Sequence, residues 1–229
     1  MPNMQEIHLV LLAGFALGSL HAFDVDHLAA VGVFVSRDPH PGRAVRLGIR
    51  WALGHSIALS IVGAVCLGLR VVISPVFQSV LELAVGTMLI AIGIWGLLHF
   101  FLATKLRRHP HVHEDAAHTI VHSHAHLHFR DSNHRHSHSV MFIGAVHGLA
   151  GTGPVLIVIP ITLLGSWTTT LSFILLFNAG MIVAMAFFAN ILSRAFLLVR
   201  SRNIVHCLQG LAGATCVLLG SWWIFRILS

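Results

Sequence analysis

Six apolar stretches, each near or above the roughly 20 residues needed to cross a bilayer core, constrain this chain more than any other feature. They run over Ile7–Phe34, Leu47–Leu69, Val76–Leu102, Val140–Leu164, Thr168–Leu192 and Ile204–Ile227. In hydrocarbon every backbone N–H and C=O must be satisfied within the protein, which leaves helices or closed barrels. Barrel strands are shorter and alternate in polarity, so the stretches are read as helices, apolar around most of their circumference. Of the 229 residues 56% are hydrophobic and 10% charged, against roughly 25% charged in a soluble domain. The first stretch is read as a retained helix. Glu6 and His8 stand where a signal peptide carries Lys or Arg, and the stretch runs into His21, Asp24, Asp26 and His27 without a cleavage site.

The net charge of +6 is a topology signal rather than a nucleic-acid footprint. Twelve of the 14 Lys and Arg residues fall in the first, third and fifth connections: Arg37, Arg43, Arg46 and Arg50; Lys105, Arg107, Arg108, Arg130 and Arg135; Arg194, Arg200 and Arg202. Only Arg70 and Arg226 lie on the other side. These connections are expected in the cytoplasm, with both termini extracytoplasmic. Trp51, Trp95, Trp167, Trp222 and Trp223 fall near segment ends, where interfacial anchors are expected, though Trp95 is equally suited to packing within the bundle. Cys66, Cys207 and Cys216 lie in apolar stretches without CxxC spacing, which supports neither a disulfide framework nor a thiolate zinc site.

An internal repeat organises the six stretches. Gly18-Ser19-Leu20-His21 matches Gly144-Ala145-Val146-His147, 126 residues later, and Gly54 and Ala58 match Gly180 and Ala184 at the same offset. Glu82, Gly86, Gly93 and Trp95 match Gln209, Gly213, Gly220 and Trp222 at an offset of 127. Three helices per copy is an odd number, so the second copy must cross the membrane in the opposite sense. The expected fold is all-α: a polytopic membrane protein with six transmembrane helices as a 3+3 inverted repeat. Its parts are a first three-helix repeat over residues 1–102, a His-rich cytoplasmic loop over 103–139, and a second repeat over 140–229. In secondary transporters this plan places the substrate site near the midplane, between the halves.

Three groups of residues carry chemistry. The first is His21-Ala22-Phe23-Asp24-Val25-Asp26-His27. Ionisable residues in a membrane helix are costly and line pathways or pair with one another, and nitrogen with carboxylate oxygen suits a divalent first-row metal. A polar cap at the membrane surface is the bland alternative, but Leu28–Val33 continues apolar. At about 100° per residue His21, Asp24 and His27 share an arc of roughly 120°, and Asp26 points away. Either Asp26 serves a neighbouring helix or the metal's outer shell, or the first helix unwinds here. Unwinding is favoured, because the matching stretch His147-Gly148-Leu149-Ala150-Gly151-Thr152-Gly153-Pro154 also breaks helices. The second group is Leu53-Gly54-His55-Ser56, with Met181 and Asn178 as lesser candidates. The third is the stretch from His109 to His138, which holds 11 of the 19 histidines and is expected to bind metal loosely and exchangeably. Glu82, unusual in a membrane helix, is matched either to Arg70 or to a site histidine.

At His21–His27 the chain resembles the nickel/cobalt transporter superfamily (NicO type), whose signature is His, any four residues, then Asp-His in an early helix. His21, Asp26 and His27 match it, and Leu53-Gly54-His55-Ser56 is similar to the family's next motif, which carries over to His55. The stretch at His147 is similar to the six-helix urease-accessory nickel permeases, and the His-rich loop to that of nickel/cobalt efflux proteins. The larger uptake permeases differ in having eight helices and further acidic signatures. The resemblance implies transport of Ni2+ or Co2+, with zinc and copper as other candidates, and a non-enzyme whose only ion is its cargo. The metal candidates are therefore His21, Asp24, Asp26, His27, His55 and His147, in a bacterial plasma-membrane protein without a nucleic-acid partner. The loop inclines the expectation slightly to efflux. The alternatives are a nickel uptake permease serving urease or hydrogenase maturation through a cytoplasmic metallochaperone, a membrane-embedded metal hydrolase, and an anion exporter, against which the carboxylates argue.

Overall fold

A computed structural model describes residues 4–69, 74–105, 136–149, 167–199 and 201–229 of the chain. It contains helices α1 (Met4–His21), α2 (Val25–Arg37), α3 (Pro41–Leu69), α4 (Pro75–Lys105), α5 (His136–Gly148), α6 (Trp167–Leu198) and α7 (Arg202–Leu228), and no strand among the described residues. The protein is an all-helical polytopic membrane protein. The segments Pro41–Val65, Pro75–Phe101, Thr168–Leu198 and Asn203–Leu228 are each long and apolar enough to cross a membrane, and α1 and α2, bent by 58° at their junction, are so as a pair. The fourth expected span, Val140–Leu164, is described only as far as Leu149. The loop histidines from His109 to His134 and the stretch Ala150–Pro154 lie outside the described residues, as does Arg70.

The helices outrun the apolar stretches. α3 starts at Pro41 rather than Leu47, which places Arg43, Arg46 and Arg50 on a helix instead of a loop, and α6 runs to Leu198 and takes in Arg194. Proline suits the first helical position, where its missing N–H has no intrahelical partner to lose. Charge ends the apolar stretch but not the helix, because the backbone ladder continues beyond the hydrocarbon.

α1 packs on α6, α5 on α3, and α4 on α7, and α3 also touches α6. Within these pairs the backbones meet at glycines. Gly18 lies against the Phe177 carbonyl and Gly144 against the Trp51 carbonyl; Gly180 lies against Phe15 and Gly54 against Met141. A Cβ at any of the four would collide with the facing backbone. Each contact has its counterpart 126 residues away. Between α4 and α7, Gly86 meets Gly220 and Gly93 meets Gly213. Small residues that admit close backbone approach hold helices together in lipid, where no hydrophobic drive separates helix from solvent.

α2 occupies the middle. Val31 and Val35 join one buried cluster with Trp51, Met181 and Met185. Ala29, Ala30 and Val33 join another with Val85, Leu89 and Cys216. The short helix α2 thereby fixes the position of the residues at its N-terminus.

Candidate metal centre

The chain leaves helical geometry at Ala22-Phe23-Asp24. The amides of Phe23 and Asp24 donate three residues back, to Leu20 (2.9 Å) and His21 (3.1 Å), and the Asp24 carbonyl then accepts from Leu28 (3.0 Å) to start α2. Asp24 stands at the N-cap, with ψ of 141°, a position that aspartate favours. Its carboxylate does not cap the helix. It lies 2.8 Å from His21 Nδ1 instead, and is half-exposed.

The helix is broken as expected, yet the break does not gather His21, Asp26 and His27 on one ion, and Asp26 serves a neighbouring helix as the other alternative had it. His21 ends α1 while Asp26 and His27 begin α2, so His21 and His27 face each other with ring centroids 4.7 Å apart. His55 from α3 joins them, its Nε2 3.2 Å from that of His21. Asp26 turns to α5, where its Oδ2 lies 2.7 Å from His147 Nε2. His27 stands in the middle, 4.9 Å from the His55 ring and 4.6 Å from that of His147. All four histidines are at most 5% exposed.

Two groups of three can each converge on one ion: His21, His27 and His55, and Asp26, His27 and His147, with the ligand atoms of each group within 4.8 Å of one another. Two imidazole nitrogens bound to one ion at about 2.1 Å lie about 3.0–3.4 Å apart, which matches the His21–His55 separation. The groups share His27. Asp24 is not in either; from beside His21 Nδ1 it can orient the imidazole so that Nε2 faces the ion, as carboxylates behind metal-bound histidines do.

Trp51 closes the centre from one side, its ring 4.8 Å from His27 and 5.3 Å from both His55 and His147. Phe177 lies 5.8 Å from His21. The expectation of Trp51 as an interfacial anchor is corrected: it is fully buried, because its indole fills the space between α3 and the histidines. The repeat offered the missed signal, since Trp51 and Phe177 stand 126 residues apart. His27 Nδ1, His55 Nδ1, His147 Nδ1 and Trp51 Nε1 are buried without a hydrogen-bond partner among the described residues. Each unsatisfied group costs about 1–3 kcal/mol.

Other candidates lie aside. Met181 is buried with its sulfur 3.9 Å from Ser56 Oγ. Asn178 Nδ2 donates to Ser60 Oγ (2.8 Å). Glu82 accepts from Gln78 Nε2 (2.9 Å).

The family model described as the cytochrome c biogenesis protein transmembrane region matches residues 10–222. The chain belongs to this family. Every helix from α1 to α7 lies wholly or partly within the match. The chain is also 29% identical over 205 residues to the urease accessory protein UreH of Bacillus sp. (strain TB-90), covering 89% of this chain and 85% of that protein. No solved structure matches. Neither description is that of an enzyme, and the chain is a membrane protein of this family. Among the described residues of this transmembrane region, Cys207 and Cys216 are free thiols, and the candidate ligand groups consist of histidines and Asp26.

Proposed function

We propose that the chain carries divalent transition-metal ions, nickel or cobalt, across the membrane, ligated by His21, Asp26, His27, His55 and His147. The observation that carries this reading is the pair of three-residue groups that share the buried His27 between helix ends. Two overlapping positions let an ion exchange ligands one at a time and never leave protein donors in a medium where a bare charge is prohibitive. Likeness to a urease accessory protein supports a metal cargo, and the match of His21, Asp26 and His27 to the NicO signature supports nickel or cobalt.

The six-helix, 3+3 inverted plan belongs to this proposal. It is supported by the glycine contacts that recur at an offset of 126 residues, and it sets the centre between the halves, as in other transporters. The basic residues direct the ends of α2 and α4 to the cytoplasm. The efflux reading rests on the His-rich loop, of which His109–His134 lie outside the described residues. Likeness to a urease accessory protein over 89% of the chain favours import feeding enzyme maturation, and import is the direction proposed.

Whole-cell accumulation of nickel, cobalt, zinc and copper, with the protein, without it, and with His27→Ala, tests the reading. Nickel or cobalt should rise with the wild type alone. Lower accumulation than in control cells would reverse the direction. No difference for any of the four metals would defeat transport altogether.

A further inference from the structure

Away from the histidines, a second polar space lies between α2, α4 and α7, at the end of the molecule where α2 closes with Arg37 and α7 opens with Arg202. It is a cavity of about 250 Å³ whose polar lining among the described residues is Ser36, Arg37, His99, His206 and Gln209, without a carboxylate. The Arg37 guanidinium stacks 3.8 Å above the Trp95 ring. It has no ion pair among the described residues, since the adjacent Asp38 is held by Arg43 at 2.7 Å. His99 Nδ1 lies 2.9 Å from the Trp95 carbonyl, an acceptor only, so Nδ1 bears the proton and is already engaged. His206 Nδ1 is buried without a partner among the described residues. Gln209 Nε2 donates to the Ser36 carbonyl (2.7 Å) and Ser36 Oγ to that of Val33 (2.9 Å), which pins α7 to α2 and fixes the walls.

A guanidinium without an ion pair, in a cavity with no carboxylate among the described lining residues, favours an anion over a cation. An arginine in a partly desolvated site gains most from an oxyanion that accepts two of its N–H groups, and a phosphate has a further oxygen for a neighbouring donor. We propose that this cavity binds a phosphate group, with Arg37 supplying the charge and His206 a hydrogen bond. Two sources offer that chemistry: free phosphate, and the headgroup of an anionic phospholipid, which basic pockets between membrane helices bind. The site stands apart from the metal centre and does not depend on the transport reading.

The test is thermal unfolding of the full chain, purified in detergent and stripped of lipid, with three additions: inorganic phosphate, phosphatidylglycerol, and diacylglycerol of the same acyl chains. Phosphate, phosphatidylglycerol or both should raise the midpoint by about 5 °C at saturation, and diacylglycerol should not. A response to phosphatidylglycerol alone assigns the lipid headgroup, and a response to phosphate assigns the free ion. Arg37→Gln should weaken the responding ligand about tenfold or more, whereas Arg37→Lys keeps most of the response. His206→Leu, which retains bulk and loses the donor, should weaken it several-fold and keeps the test open if Arg37→Gln does not fold. No rise with either phosphate source, or an undiminished rise in the folded variants, overturns the proposal.

Discussion

The two halves of the chain share their scaffold and divide their chemistry unequally. Gly18 and Gly144 make the same kind of contact, against Phe177 and Trp51, and those two aromatics in turn wall the centre at equivalent sequence positions. Among the five proposed ligands, however, His21, Asp26, His27 and His55 come from the first half and only His147 from the second. The carboxylate is unequally placed as well. The group around His55 is all imidazole, while the group around His147 includes Asp26 and neutralises part of an ion's charge. Helix packing and ligand chemistry are thus separable in this protein: the first is set by glycine spacing along whole helices, the second by three residues at one break with His55 and His147 from neighbouring helices.

Substitutions can break that separation or sharpen it. The largest effects belong to the scaffold. Gly18→Leu and Gly144→Leu should each cost about 3 kcal/mol or more, since a side chain there meets facing backbone rather than a movable group. Yield of monodisperse protein and unfolding midpoint measure this, and a tolerated Gly144→Leu beside a ruinous Gly18→Leu would show that the halves do not share a scaffold. Next comes the shared ligand: His27→Ala should lower divalent-ion affinity about hundredfold, measured by titration calorimetry, with the midpoint little changed. Asp26→Asn keeps the shape and removes the charge from one group only, and should cost about thirtyfold. Smallest is Asp24→Asn, which touches the ion only through His21 and should cost about tenfold. An Asp24→Asn loss as large as that of His27→Ala would place Asp24 on the ion itself.

Most of the helices were legible because spanning length and all-round hydrophobicity leave few alternatives, and a break in the first helix was legible because the repeat-equivalent stretch His147–Pro154 is rich in helix breakers. Asp26 was harder to place. Its partner, His147, lies 121 residues away, and only tertiary structure shows which neighbouring helix it faces. Trp51 was misplaced for a related reason. Interfacial preference for tryptophan is a property of depth in the membrane, and depth cannot be read where a helix begins six residues before its apolar stretch does. Helix ends were blurred throughout, because hydropathy reports where side chains cease to be greasy and not where backbone hydrogen bonding stops.

The bend between α1 and α2 also settles a matter of length. As one straight rod, Ile7–Phe34 would measure about 42 Å at about 1.5 Å per residue, well beyond a hydrocarbon layer of about 30 Å. Folded at 58°, with the first arm upright, the arms His8–His21 and Val25–Arg37 together rise only about 31 Å. A hydrophobic mismatch that other helices relieve by tilting or by thickening the bilayer is absorbed here at a single corner, and His21 and His27 flank that corner.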